Sequence, residues 1–440
     1  MKADKAAIVI LGATGDLAQR KLIPALDLLY QQNNLGEGTI LVGSGRKPVS
    51  HEDFKSLFNA SKDFEKQMFY HQGIEGLWDY LKTKGEFNRI IVFLALPPET
   101  YEKVTGDLAK EGFGEETFLI VEKPFGRDIE TARHLNRTLT THFREDHIFR
   151  SDHYLAKEAV QNILIFRFAN SVFEPSWNNH FVESIQINAF EEIGVEDRGA
   201  YYDTAGSIRD MIQNHLFQLL CLVTMEAPVS LNSEDIRNQK INILKNLRVV
   251  NTYRGQYEGY RNEKGIKENS DTETYAEMEL RIDNYRWAGV PIYIRTGKAT
   301  NRKGTEIGLK FKHLPEILFN QGGNLEPNKI IIKVQPAEGI LLDLSGKIPG
   351  MNMEIVGTKM AFCYRESFNQ NIPEAYQKLL LDALKGDRTL FVSARETETS
   401  WEVIQPYLDT GDVFIYRKGS CPKTSFGDIW IDFSQYAGFC

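Results

Sequence analysis

The sequence predicts an α/β domain followed by an α+β domain whose core is a large, mostly antiparallel sheet. Three observations carry this. The first third alternates short Val/Ile-rich runs with helix-like stretches: AAIVILGA, LAQRKLIPALDLLYQQ, TILVGSGR, then RIIVFLALPP and ETFLIVEKPFG. Apolar runs of strand length separated by amphipathic segments are the pattern of parallel strands covered on both faces. Beyond Asp152 the runs alternate polar and apolar residues, as in SIQINAF, AEMELRI, VPIYIRT and NKIIIKVQP, which suits an antiparallel sheet with one face open. Finally, 440 residues with 42% hydrophobic content exceed what one core usually holds and point to two domains. We divide the chain at residue 150, into 1–150 and 151–440. Within the second part, a helix is expected near Lys157–Phe168, a long polar loop over Arg254–Thr272, and helix again around Thr389–Trp401.

Composition narrows the function classes. The net charge is −8 with 25% charged residues, which argues against a nucleic-acid partner. The four cysteines, Cys221, Cys363, Cys421 and Cys440, are scattered with no C-x-x-C pair. They are expected to be reduced thiols in a cytoplasmic protein, with no zinc site and no disulfide framework. The start MKADKAAIVI lacks a signal-peptide layout, and no apolar run reaches membrane-spanning length.

The turn after the first strand reads Gly12-Ala13-Thr14-Gly15-Asp16-Leu17-Ala18. Gly12 permits a tight turn, Gly15 lets backbone approach a pyrophosphate, and Ala18 lets the helix pack closely on the strand. The helix N-terminus offers free N–H groups and a positive dipole. A strand before, a helix after and a second strand following make this a Rossmann-like dinucleotide-binding unit; an ordinary strand–helix turn is the plainer alternative. An NAD-specific unit carries an acid at the end of its second strand, but here the strand ends V42-G-S-G-R46-K47. Arg46 can pair with a 2′-phosphate, so NADP is favoured, with NAD as a secondary acceptor. Two further strands stop at prolines, Pro97-Pro98 and Lys123-Pro124, placing Pro97, Lys123 and Pro124 at the carboxyl ends where ligands collect in such sheets.

Three later segments concentrate polar groups. In Asp152-His153-Tyr154-L-A-Lys157, a helix starting near Tyr154 would bring His153, Tyr154 and Lys157 together as a phosphate contact; a capping aspartate with a solvated helix face fits as well. In Glu191 through His215, acids precede an otherwise apolar helix on which Met211, His215, Gln218 and Leu222 share a face, as a buried core histidine also would. The run V290-P-I-Y-I-R-T-G-Lys298-A-T-N-R-Lys303 suits a second anion contact or a plain turn.

GATGDLAQRKL, EKPFGRD, DHYLAKE followed by VQN, RGAYYDTAGSIRDMIQNHL and VPIYIRTGKA, together with RGQY at Arg254 and VQP at Gln335, resemble in order the motifs of glucose-6-phosphate dehydrogenases. The resemblance runs from Ile8 to about Trp401. It implies a Rossmann-like coenzyme domain, a β+α domain, and assembly through the large sheet into a homodimer or homotetramer. It also implies roles: His215 as the general base at the sugar C1 hydroxyl, Asp152 as the carboxylate that orients it, and Lys123 between cofactor and substrate. His153, Tyr154 and Lys157 match the phosphate-binding set, with Lys303 a second basic residue near it. Glu191 and Asp210 match residues that hold sugar hydroxyls, and Lys298 and Gln335 line the substrate site. Oxidation at an anomeric carbon needs a placed base and an aligned hydride acceptor, so no metal is expected.

The sequence departs from the family at Ala156, where glycine is usual, and the stretch between Ser50 and Arg89 is abbreviated. Three functions follow: NADP-linked oxidation of glucose 6-phosphate in the oxidative pentose phosphate pathway, the same chemistry on an amino- or deoxy-hexose 6-phosphate, or a non-catalytic sensor of sugar phosphate or NADPH.

Overall fold

The computed structural model describes residues 2–314, 325–368, 372–423 and 425–440. The chain forms two compact units. The first comprises Met1–Ala156, Pro228–Asn238 and Pro373–Trp401; the second comprises Lys157–Ala227, Gln239–Ile372 and Glu402–Cys440. The chain thus returns twice to the first unit, which a single cut at residue 150 leaves out.

The first unit is built on β1 (Ala6–Leu11), β2 (Ile40–Gly45), β3 (Met68–Gln72), β4 (Arg89–Leu94), β5 (Phe118–Glu122) and β6 (Ile148–Ser151). Their spatial order is β6-β5-β4-β1-β2-β3, all parallel. This is the doubly wound arrangement, whose order reverses at β1. All six residues of β1 are buried. Ile8 and Ile10 point into one apolar cluster, Val9 and Leu11 into the other, because successive side chains face opposite sides and helices cover both. The late segment contributes the helix Ala375–Lys385, whose Leu379, Leu380, Ala383 and Leu384 join the first cluster. Phe391–Val392, expected to be helical, instead adds an antiparallel strand to β6. The helix follows at Ala394–Ile404.

The second unit holds a nine-stranded sheet. Its labelled strands are β7 (Val182–Phe190), β8 (Leu247–Tyr257), β9 (Tyr275–Ile282), β10 (Ile292–Gly297), β11 (Gly304–Phe311), β12 (Lys329–Gln335), β13 (Gly339–Lys347) and β14 (Ile355–Cys363). The order is β14-β13-β12-β11-β7-β10-β9-β8, closed by Val413–Tyr416. The pairs β7–β10 and β8 with Val413–Tyr416 are parallel and the others antiparallel. The loop expected to start at Arg254 starts later. Residues 254–257 belong to β8, held by Ala276 and Tyr275 of β9 on one side and by Val413–Tyr416 on the other. Pairing on both edges overrides the polar, glycine-containing composition that suggested a loop.

The expectation of four reduced thiols is corrected: Cys363 and Cys440 form a disulfide, 77 residues apart in sequence. The C-terminal segment crosses the sheet face, with Ile431 and Phe433 against Gly308, and brings Cys440 over Gly339, the cross-strand partner of Cys363. Spacing along the chain could not reveal a pair created by that crossing. Cys221 and Cys421 are free. Among the described residues no helix is long and apolar enough to cross a membrane.

Candidate active site

The residues expected to hold a dinucleotide lie at the carboxyl ends of the first unit's parallel strands. Gly12 has φ +85°, and a Cβ there would collide with the Ala95 carbonyl oxygen, so the turn requires glycine. The Gly12 N–H donates to Ser44 O at 2.8 Å and that of Gly15 to Gly12 O at 2.9 Å. Gly15 and Asp16 are exposed, while Ala13 and Ala18 are fully buried. The helix that follows opens with a π-wound turn, Ala18–Leu22, before continuing as Ile23–Gln31. Thr14 and Leu17 flank this entrance, and Asp16 pairs with Arg20 at 2.6 Å. Arg46, just past β2, is exposed and makes no ion pair among the described residues. Pro97 ends the turn after β4 and leads into the short 3₁₀ segment Pro98–Thr100. Lys123 precedes Pro124 through a cis bond.

Asp152 follows β6 directly and is 2% exposed. Its Oδ1 accepts the Tyr154 N–H at 2.9 Å, and its carbonyl accepts the Leu155 N–H at 3.1 Å. These bonds hold residues 152–155 in a turn. The helix expected to begin near Tyr154 therefore begins at Glu158, with Lys157 as its N-cap, and helical spacing does not relate His153 and Tyr154 to Lys157. His153 and Tyr154 stack edge to face at 5.1 Å. Ala156 is 2% exposed and belongs to the core cluster beneath β1, so its methyl group packs among apolar side chains.

Glu122, the last residue of β5, escaped the sequence reading. Burial pushes its carboxyl up to about 7, with Asp152 adding repulsion while the Ser151 and Tyr376 hydroxyls and Lys123 oppose the shift. Its Oε1 has no hydrogen-bond partner among the described residues. The available signal was a charged residue closing the apolar run FLIV.

The second unit carries the remaining polar groups. β7 and β10 are parallel, so their successors Glu191 and Lys298 leave the same end of the sheet. The Glu191 N–H donates to Gly297 O at 2.9 Å, and Lys298 Nζ bonds the Glu191 carboxylate. Lys298 Nζ also lies 5.1 Å from the Tyr202 ring centroid. At the same end β12 closes with Gln335, whose Nε2 donates to Thr305 Oγ1 of β11 at 3.1 Å. Lys303 is exposed in the turn before β11. Near Lys157, the Ala159 N–H donates to Glu338 Oε2 at 2.8 Å. Burial raises the Glu338 carboxyl, and the Ala159 amide and Lys157 oppose that.

Asp210 and His215 ride on an unusual helix. Within Gly199–Ser207, Gly206 breaks the winding (φ 68°, ψ 174°), and Ile208–Leu216 is wound as a π-helix before Phe217–Thr224 resumes α geometry. π-Winding shifts every later residue around the axis, so Met211, His215, Gln218 and Leu222 do not form the single α-helical face expected from the sequence. Asp210 and His215 are 5% and 1% exposed, and Asp210 Oδ1 accepts from the Tyr201 hydroxyl at 3.4 Å. The structure therefore brings Glu191, Lys298 and Gln335 to one sheet end and buries Asp210 and His215 on a helix of the same unit.

Two family models match the chain in succession. They are the glucose-6-phosphate dehydrogenase NAD binding domain over residues 9–162 and the glucose-6-phosphate dehydrogenase C-terminal domain over 164–428. Glucose-6-phosphate 1-dehydrogenase of Bacillus subtilis strain 168 is 40% identical, covering 92% of this chain and 91% of its own. The chloroplastic enzyme of Spinacia oleracea is 36% identical, over 91% and 77%. A solved glucose-6-phosphate dehydrogenase in complex with its substrate glucose-6-phosphate superposes with a TM-score of 0.90 at 34% identity, covering 97% of each chain. Glucose-6-phosphate 1-dehydrogenase from Mycobacterium avium superposes with a TM-score of 0.86 at 32% identity, covering 95% of each. On sequence and on structure, over nearly its whole length, the chain belongs to the glucose-6-phosphate dehydrogenase family.

Proposed function

We propose that this protein oxidises glucose 6-phosphate at C1 to the 6-phospho-lactone, with NADP as hydride acceptor. The observation that carries this is the family match across both units, one of the matched structures having glucose 6-phosphate bound. The first unit fits the cofactor: the Gly12 turn, closed against the Ala95 carbonyl, leads into the exposed Gly15 and Asp16 before a helix, and Arg46 is exposed beyond β2. NADP, when bound, supplies the hydride acceptor. The backbone of Gly12–Leu17 would receive its pyrophosphate at the helix N-terminus and Arg46 its 2′-phosphate, with Pro97, Lys123 and Pro124 beside it.

His215 acts as general base and takes the C1 hydroxyl proton, and Asp152 orients the imidazole and stabilises its protonated form. Glu191 and Asp210 hold sugar hydroxyls, with Lys298 and Gln335 lining the same side. His153, Tyr154 and Lys157 bind the phosphate with Lys303 near it, and Lys123 stands between cofactor and sugar. The methyl of Ala156, the sequence feature that left a modified hexose open, lies in the apolar core, which favours the ordinary sugar. We also place the protein in the cytoplasm, where recovery in a membrane or secreted fraction would contradict us. We assign assembly to the large sheet.

The test is kinetic. His215→Asn is expected to bind glucose 6-phosphate but lose turnover by ~10²-fold or more, the scale of a missing general base. Near wild-type turnover would remove His215 from that role. Arg46→Ala is expected to lower the NADP-over-NAD preference about tenfold or more, the worth of a charged hydrogen bond; an unchanged ratio would reject the 2′-phosphate assignment.

A further inference from the structure

The helix bearing Asp210 and His215 starts at a joint formed by Gly206 and Glu273. Gly206 sits at φ +68°, and a Cβ there would collide with the Glu273 carboxylate. The Ser207 N–H donates to the Glu273 carbonyl at 3.0 Å, and the Ile208 N–H to Glu273 Oε1 at 3.0 Å. Glu273 is 1% exposed. Its second oxygen, Oε2, lies 3.2 Å from Nη2 of Arg254, itself buried. Arg254 Nη2 also donates to Asp271 O at 2.8 Å. The first free N–H groups of the π-wound segment are thus satisfied by one side chain and its own carbonyl.

The next residue continues the same construction toward the sugar side. Thr274 O accepts the Lys298 N–H at 2.9 Å, and Thr274 Oγ1 lies 2.9 Å from the Tyr416 hydroxyl. That hydroxyl also donates to Lys298 O at 2.6 Å. The dipeptide Glu273-Thr274 therefore holds both the start of the helix that carries Asp210 and His215 and the backbone of Lys298, which bonds Glu191.

We propose that Glu273 is a positioning residue for the oxidation: its carboxylate sets the axial and rotational placement of the helix bearing Asp210 and His215 relative to Lys298. The proposal rests on the assignment of His215 as base. Catalytic groups must be held to a fraction of an ångström, so a joint displaced by one methylene is felt in turnover. Charged and titratable groups facing Glu273 are Arg254 from β8, Arg209 from the π-wound segment and Tyr202 from the preceding helical segment Gly199–Ser207. Arg254 makes a direct ion pair with it.

Three variants separate positioning from charge balance. Glu273→Asp keeps the charge but withdraws the carboxylate from the Ile208 N–H. Glu273→Gln keeps the length and an acceptor but leaves Arg254 unmatched. Gly206→Ala presses on the joint from the other side. If Glu273 positions the helix, Asp at 273 and Ala at 206 each lower kcat tenfold or more and shift the acid limb of the kcat profile. Gln costs less turnover than Asp, and KM for NADP stays within twofold throughout. If Glu273 only neutralises Arg254, the order reverses: Gln is the more damaging in both melting temperature and activity, and the pH profile does not move. That reversal, or kcat within twofold of wild type in folded Glu273→Asp and Gly206→Ala, overturns the proposal. Full turnover in His215→Asn would instead overturn the base assignment, whatever the Glu273 variants do.

Discussion

Glu122 shows how a single side chain links stability to pH. Its carboxyl lies at the carboxyl end of β5, in register with Ser151 and one residue from Asp152. Burial raises its pKa from 4.5 to about 7. The folded state then binds more protons than the unfolded chain between those values, so stability falls as pH rises from about 4.5 to about 7 and is level above. Glu122→Gln removes the titration. The variant is expected to be more stable than wild type at pH 8, by on the order of 2 kcal/mol after discounting for the residue's partial exposure, and equal to it near pH 4.5. Denaturant unfolding at the two pH values measures this, and a difference that does not depend on pH would reject it. The residue was invisible in the sequence because a glutamate at a strand end is usually solvated. Only register with β6 and the cover of Tyr376 from a helix more than 200 residues away reveal its burial. The need for glycine at position 12, by contrast, could be read directly, since it follows from the turn after a recognisable strand.

At the scale of elements, the strand–turn–helix from β1 through Gln31 was legible because its signals are local: a fully apolar strand, two glycines and an amphipathic run. Gly12→Ala tests that reading. A non-glycine residue at φ +85° carries strain of about 1–3 kcal/mol, and the new methyl group must also push the turn from Ala95. We expect KM for NADP to rise tenfold or more with KM for glucose 6-phosphate little changed, and an unchanged cofactor KM would show that the turn does not touch the nucleotide. Other elements were not legible. β3 (MFYHQ) and β6 (IFRS) are short and lack the β-branched density of β1, so the sequence offers little to distinguish them from loop. The helix after Asp152 starts later than its composition suggests because the Asp152 side chain captures the Tyr154 N–H first. The π-wound Ile208–Leu216 follows the Gly206 break, and its first N–H is held by Glu273, 65 residues distant from Ile208 in sequence. An α-helical periodicity applied there cannot recover the correct face.

At the scale of the whole molecule, the sheet of the second unit has two different faces at its β13–β14 end. On one, Asp343 and Lys359 are cross-strand partners covered by the C-terminal segment: the Tyr436 hydroxyl donates to Asp343 Oδ2 at 2.6 Å, and Lys359 Nζ lies over the Tyr436 and Phe439 rings. The Cys363–Cys440 disulfide fastens that cover. On the other face the alternate residues Val356, Met360 and Phe362 of β14 stand 42%, 60% and 38% exposed, with Leu342 opposite Met360. An apolar row at a sheet margin is a liability for an isolated chain. A second copy related by a twofold axis would cover it with the same row from its partner. This is the surface to which we assign self-association. Placing charge there, as Val356→Asp with Met360→Asp, is expected to convert the assembled protein to monomer in sedimentation at micromolar concentration while the isolated chain keeps its fold, because both positions are exposed and neither packs in a core. Retention of the wild-type mass would locate the interface elsewhere on the sheet. A wild-type chain that already sediments as a monomer would mean that this row has no second copy to cover it.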